Sequence, residues 1–291
     1  MMRALGQSHW RGASLIELMI ALSLGSLLML AATAMLLASK RAYVHQMELA
    51  ALQERGAFAL TILRRVVRMA GYRNWDLDAG RVVWPPPRER VPAIRGKDNC
   101  ALAFAACGPS VSGSDLLEVR HEGSGAGDGD GGVLDCAGRR VPGPRANGAG
   151  SADERGRSVF YVARSSSGEP ALYCRYFRAS GGSRAEALVE GVENFQVIYG
   201  IDANGDGVPE QFLPARRLQA AQWRQVVAIQ LGLVLRSPIA LGSAEPPGVF
   251  YLFGRDYPEA DGIYRPAADI PRARHQVSAT IQLRNAMRQP S

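Results

Sequence analysis

The stretch RGASLIELMIALSLGSLLMLAATAMLLASKR, residues 11–41, decides how this chain is read. Glu17 is its last charge before Leu18–Ser39, 22 residues without a charged side chain; Lys40 and Arg41 close the run. At 1.5 Å per residue this is about 33 Å of helix, enough to cross a bilayer core. Three readings compete. One is a cleaved secretory signal, for which Ala32-Thr33-Ala34 offers a peptidase site; the 17 residues from Leu18 to Ala34 are long for such a signal. A second is a plain membrane anchor. The third must account for Glu17, a carboxylate at the mouth of an apolar run. Carboxylates are costly inside a membrane and normally have a partner, although one at the interface can snorkel.

Downstream, the helical pattern continues. Leu49, Leu52, Gly56, Ala59, Leu63, Val66 and Ala70 recur at three- and four-residue steps, and Arg55, Arg64, Arg65 and Arg68 lie mostly off that stripe. Gly71 is placed to end the helix as a left-handed cap. Ala13 to Ala70 is 58 residues, about 87 Å of helix. Gly25 and Gly56 are the weak points where it is expected to bend. The stripe should pack on the domain that follows.

The remainder reads as β-rich with long loops. The chain has 291 residues, 47% of them apolar, with 32 Gly and 17 Pro, which suits one or two domains and excludes wholesale disorder. Trp84-Pro85-Pro86-Pro87 is a stiff extended linker. Asp115–Glu122 alternates loosely as a strand. Ser158–Arg164 and Ala171–Phe177 form a hairpin around Ser165-Ser166-Ser167-Gly168. Val192–Tyr199 and Gln225–Leu235 are the clearest strands, and Val277–Leu283 is the last. Strands without intervening helices favour an antiparallel sheet. The expected class is therefore α+β: a long N-terminal helix packed on a mainly antiparallel β-sheet domain with long loops.

Catalytic motifs are absent: no Gly-x-Ser-x-Gly, no Walker A loop, no His-Glu-x-x-His. Gly127–Gly132 formally matches a dinucleotide fingerprint, but no helix follows it. The four His are scattered, with no Cys/His pair at zinc spacing. The best local constellation is Asp202-Ala203-Asn204-Gly205-Asp206-Gly207-Val208-Pro209-Glu210. Asp202, Asn204 and Asp206 fall at positions 1, 3 and 5 of a calcium loop, with the Val208 carbonyl at 7 and Glu210 at 9. Leu213 stands where an EF-hand has its bidentate Glu, so the likeness is to the short calcium loops of β-rich extracellular proteins. Two readings stay open, a Ca2+ site and a polar turn joining two strands.

The string Arg11-Gly12-Ala13-Ser14-Leu15-Ile16-Glu17-Leu18 resembles the class III signal of type IV pilins and pseudopilins. That resemblance implies cleavage by prepilin peptidase between Gly12 and Ala13, N-methylation of Ala13, and retention of Glu17 as an assembly carboxylate that pairs with a neighbouring subunit's new ammonium. Ala13 departs from the Phe usual at the first mature position. Further segments resemble one minor-pilin family, PilW: Gly56–Leu60, Arg68–Tyr72, Asp115–Arg120, Asp135-Cys136, Leu172–Cys174, Leu188–Val192, Gln196–Gly200 and Asp202–Gly207.

The organisation implied is a leader over 1–12, a pilin helix over 13–71 that spans the membrane at 18–39, and a periplasmic β-rich domain over 72–291. The chain would be no enzyme. It would sit as a single-pass inner-membrane protein and then join the pilus, at tip or base, as part of the extracellular fimbrium. Its partners would be other minor pilins, the major pilin and a PilY-type tip adhesin, and its role to prime assembly or form the tip complex. The alternative is a J-type minor pseudopilin of type II secretion. DNA uptake has only net charge in its favour. Of 34 Lys and Arg, the leader takes Arg3 and Arg11, leaving 32 − 27 = +5, and no nucleic-acid partner is expected. In an oxidising periplasm the four Cys should pair, Cys100 with Cys107 and Cys136 with Cys174, over the two other connectivities.

Overall fold

The computed structural model describes residue 12 and residues 14–74, 92–101, 107–143, 156–178, 182–240, 248–267 and 271–285. The leader before Gly12, Ala13 and the Trp84–Pro87 linker lie outside the described residues. The chain divides into two compact units, Met1–Met47 and Glu48–Ser291. From Leu15 on, the described part of the first is helical, exposed in the single chain, and long and apolar enough to cross a membrane.

One helix, α1 (Leu15–Arg68), runs unbroken through both Gly25 and Gly56. Gly56 has a different use from the expected bend. A β-carbon there would lie 2.8 Å from Val277 Cγ1, so the missing side chain lets helix and strand approach closely. In the second unit Leu52, Ala59, Leu63, Val66 and Ala70 are fully buried, as the stripe requires, and Leu60, Ile62 and Val67 widen it. Arg64, Arg65 and Arg68 remain exposed. After Arg68 the chain turns, and Gly71 adopts φ +75° and donates its N–H to the Arg120 carbonyl, 2.9 Å away. Gly71 takes this left-handed conformation at low steric cost in the turn just past the helix, where its N–H serves β2 and not a helix carbonyl.

The strands are β1 (Ile94–Lys97), β2 (Leu116–His121), β3 (Gly156–Arg164), β4 (Pro170–Phe177), β5 (Ser183–Glu190), β6 (Val192–Ile201), β7 (Gln211–Pro214), β8 (Val226–Ala240), β9 (Phe250–Tyr251), β10 (Ile263–Tyr264) and β11 (Arg272–Gln282). They form two main antiparallel sheets rather than one. The first has the order β1-β2-β3-β4-β5 and the second β11-β8-β6-β7, with β9 and β10 as a small separate pair. The class is α+β, as expected.

One core unites these parts. Leu63 and Val66 of α1 cluster with Leu117, Phe160 and Leu172 of the first sheet and with Phe195, Ile229, Leu231 and Ile281 of the second. Each such side chain removes on the order of 2 kcal/mol worth of apolar surface from water. The opposite face of the second sheet is also covered: Val234 packs on Leu252 and Tyr264. This explains why β8 reads as a continuous apolar run instead of a clean alternation.

Five strands, β1, β5, β7, β9 and β10, escaped the sequence reading. β1 is four residues long, and β5 is mostly exposed and polar, so neither carries an apolar pattern of its own. Each exists because a neighbouring strand offers a free ladder.

Candidate functional site

The start of α1 is built by its own sequence. The Glu17 N–H donates to Ser14 Oγ at 3.3 Å, and the Ser14 N–H donates to Glu17 Oε2 at 3.0 Å. This is a capping box, in which two otherwise orphaned amides are satisfied reciprocally. The signal, Ser followed three residues later by Glu, was present in the sequence. Its consequence is that Glu17 already has a partner within its own chain. Gly12 is exposed beside it, and Ala13 lies outside the described residues.

The loop at 202–210 joins β6 to β7. Asp202, Asp206 and Glu210 each bring one carboxylate oxygen within 4.8 Å of the others. Local hydrogen bonds shape this convergence. Asp202 accepts from the Gly205 N–H at 2.6 Å and the Gly207 N–H at 2.8 Å, and Glu210 accepts from the Ala203 N–H at 2.8 Å. Asn204 Oδ1 accepts from the Asp206 N–H and Asp206 Oδ1 from the Val208 N–H, both typical of Asx turns. Gly205 and Gly207 adopt φ +83° and +87°. Asp202 is buried while Asp206 and Glu210 are exposed. Three carboxylates so close repel one another, and a hard divalent cation bound through oxygen would relieve that repulsion. The same hydrogen bonds also make a complete polar turn.

Cys100 is joined to Cys107 and Cys136 to Cys174. The second bond ties the loop before β3 to the middle of β4, and both its sulfurs lie in the main core. The first lies in a small separate cluster with Leu116, Val159 and Tyr161.

The buried ion pairs were not singled out from the sequence; they meet across strands except for Arg120 and Glu118 within β2. Glu118 on β2 is bound by Arg120 at 2.6 Å and by Arg157 of β3 at 2.6 Å. Glu193 on β6 is held by Arg274 of β11 at 2.7 Å and by Arg236 of β8 at 3.4 Å. Asp115 accepts from the Asn99 N–H at 3.1 Å and the Val197 N–H at 2.9 Å, which pins the first sheet to the second. Burial, aided by the nearby Asp98 charge, pushes the Asp115 carboxyl well above the usual carboxylate range, and these two N–H groups oppose that rise. Asp98 is likewise raised by burial, although it accepts from the Arg216 amide and guanidinium. None of these groups is arranged as nucleophile, base and orienting partner.

Residues 159–285 match the family model described as type IV pilus-assembly protein W, PilW. Among solved structures, a type IV-like pilin from Thermus thermophilus aligns with 81% of this chain and 99% of its own, at 16% identity and a TM-score of 0.43. No curated protein matches the chain in sequence. The matched span runs from β3 to the end of β11 and covers the second sheet entirely, together with β4 and β5. The resemblance read from the N-terminal signal and the scattered downstream segments is thereby borne out: this chain is similar to the PilW family of type IV pilus-assembly proteins.

Proposed function

We propose that this chain is a minor pilin that is trimmed between Gly12 and Ala13, methylated at Ala13, and built into a type IV pilus through α1. The observation that carries this reading is the conjunction of a PilW match over 159–285 with an N-terminal helix that is apolar, charge-free over Leu18–Ser39 and headed by Glu17. A soluble binding protein has no need of such a helix, and a plain anchor has no need of a carboxylate at its mouth. In this reading the β domain is non-catalytic. It contacts other minor pilins, the major pilin and a PilY-type tip adhesin, and so primes assembly or forms the tip complex. The protein waits in the inner membrane with its β domain in the periplasm and then passes into the fimbrium.

The test is the chemistry of the N-terminus. Mass spectrometry of the membrane form should find a peptide beginning at Ala13 and carrying one added methyl group. Gly12→Ala should accumulate uncut precursor. A mature start at Met35, after Ala32-Thr33-Ala34, would identify an ordinary signal peptide and remove the pilin reading. A correctly trimmed protein whose deletion blocks protein secretion and leaves surface pili intact would place it with the J-type pseudopilins instead.

A further inference from the structure

Each main sheet ends in two edge strands, β1 and β5 in the first and β11 and β7 in the second. An edge presents unpaired N–H and C=O groups to any other extended chain, and proteins guard it by shortness, charge, proline or a bulge. Three of these edges are guarded. β1 has four residues and carries Arg95 and Lys97, and β7 has four and ends at Pro214. β5 carries Arg184, Glu186 and Glu190 and breaks its register with β4 beside Leu172. β11 is different. Its bulge lies between Arg272 and Arg274, and from Gln276 to Gln282 it pairs with β8 without a break. That stretch, Gln-Val-Ser-Ala-Thr-Ile-Gln, has no charge, no proline and no glycine, and Val277, Thr280 and Ile281 are β-branched.

The register shows which groups are free. Leu283 donates its N–H to the Val227 carbonyl at 2.8 Å, so Ile281, Ala279 and Val277, at two-residue steps from it, are the residues bonded to β8. The N–H and C=O groups of Gln276, Ser278, Thr280 and Gln282 therefore point out from the edge, and among the described residues β11 pairs with β8 alone. Ser278, Thr280 and Gln282 are exposed, while Val277, Ala279 and Ile281 turn to the core.

The occupant is specified by the order of the residues. From either end the stretch is chemically the same: Gln276 answers to Gln282, Val277 to Ile281 and Ser278 to Thr280, about Ala279. Antiparallel pairing with an identical strand about Ala279 puts like on like. Branched aliphatic meets branched aliphatic on the core side, and amide meets amide and hydroxyl meets hydroxyl on the outer side. Aliphatic and hydroxyl pairs of this kind stabilise a sheet. A charged strand would find no counter-ion along this stretch. A self-complementary edge related by a two-fold axis also closes on two copies instead of growing into a fibre.

We propose that the free edge of β11 binds β11 of a second copy of this chain, joining two second sheets into one across a two-fold axis at Ala279. The inference is independent of whether the chain enters a pilus.

The experiment uses the full-length chain in detergent, where two copies are free to take any mutual orientation. The four native cysteines are all in disulfides, so an added cysteine brings a single free thiol. Chains with Ser278→Cys are mixed with chains with Thr280→Cys and oxidised with diamide. In the proposed register residue 278 of one copy faces residue 280 of the other, with Cα atoms about 5.5 Å apart, which suits a disulfide. Either variant alone sets its two thiols on a diagonal of about 7–8 Å. The mixture should therefore form covalent dimer roughly tenfold faster than either variant alone. Sedimentation of the parent should show a dimer whose share grows with concentration. Ser278→Lys with Thr280→Lys sets ammonium against ammonium and should be monomeric, as should Ser278→Glu with Thr280→Glu, and mixing these two should restore the dimer. Thr280→Pro removes an outward N–H that β8 does not use and should be monomeric as well. Melting curves establish that each variant is folded. The proposal fails if the parent stays monomeric up to its solubility limit, if the paired Lys variant or Thr280→Pro dimerises as the parent does, or if mixing the Lys and Glu variants restores nothing. It also fails if the cysteine variants cross-link as fast alone as mixed, which would move the contact to another surface such as the apolar helix.

Discussion

The hydroxyl of Tyr199 occupies the space that a β-carbon at residue 96 would need. Gly96 is in β1 of the first sheet and Tyr199 in β6 of the second, so the absence of one side chain lets the two sheets meet at this point. Tyr199 is fully buried, with the Trp223 ring edge-on at 4.8 Å, and its hydroxyl has no hydrogen-bond partner among the described residues.

Gly96→Ala should therefore cost about 3 kcal/mol or more, because the new methyl group has nowhere to go in a packed interior. Tyr199→Phe should be neutral or slightly stabilising, since it removes a buried polar group that is already unsatisfied. Denaturant melts of both variants and of the pair decide this. A large loss on Tyr199→Phe would mean that the hydroxyl has a bonded partner.

Glu17 caps its own helix, and different substitutions separate that cap from the proposed pairing with a neighbour's ammonium. Glu17→Gln keeps an oxygen that can accept the Ser14 N–H, so the cap survives, but it has no charge to offer a neighbour's ammonium. Glu17→Ala loses both, at about 1 kcal/mol for the cap. Both variants should insert in the membrane and both should be depleted from sheared pili. If Glu17→Gln is incorporated normally, the carboxylate acts only as a helix cap.

The two disulfides should differ in worth. Cys136 and Cys174 are 38 residues apart, Cys100 and Cys107 only 7. On the chain-entropy account, whose mechanism is disputed, replacing the first pair by Ala should cost about 4 kcal/mol and the second about 2. Chemical denaturation of each double variant tests the order, and non-reducing peptide mapping tests the pairing.

His121 should make the fold acid-sensitive. Its ring is fully buried with Nε2 unsatisfied among the described residues, and burial holds its pKa below the ordinary value. The unfolded chain therefore binds this proton more readily than the folded one. The stabilising contribution is complete above the unfolded pKa of about 6.5 and is lost as pH falls below it toward the lower folded value. The melting temperature should drop as pH falls below about 6.5, and His121→Met should flatten that part of the profile. An unchanged slope would exclude His121 as the cause.

Calcium at millimolar concentration should raise the melting temperature, the binding energy adding to the stability of the folded state. Asp202→Ala with Asp206→Ala should abolish the gain, and magnesium should substitute poorly because it demands tight octahedral geometry. If up to about ten millimolar calcium leaves the curve unmoved, Asp202–Glu210 is only the turn that its own hydrogen bonds already complete.

The long helix, its apolar stripe and the left-handed turn at Gly71 were legible in the sequence because each is a local matter. Helical periodicity, a run without charge and a glycine at a helix end express themselves within a few residues. The same holds for β6, β8 and β11, whose apolar content marks them, and for the 202–210 loop, whose Asx turns span two residues each. Tertiary structure alone decided the rest. That there are two sheets, that β1 and β5 are strands at all, and that Glu118 and Glu193 are buried among arginines all depend on which strand lies beside which. Glu193 meets Arg274 across 81 positions of sequence, and no local pattern encodes that distance. Gly56 shows the limit most plainly. Its φ is ordinary and its helix unbroken, so by sequence it is only a weak point, yet Val277 gives the reason for a glycine there.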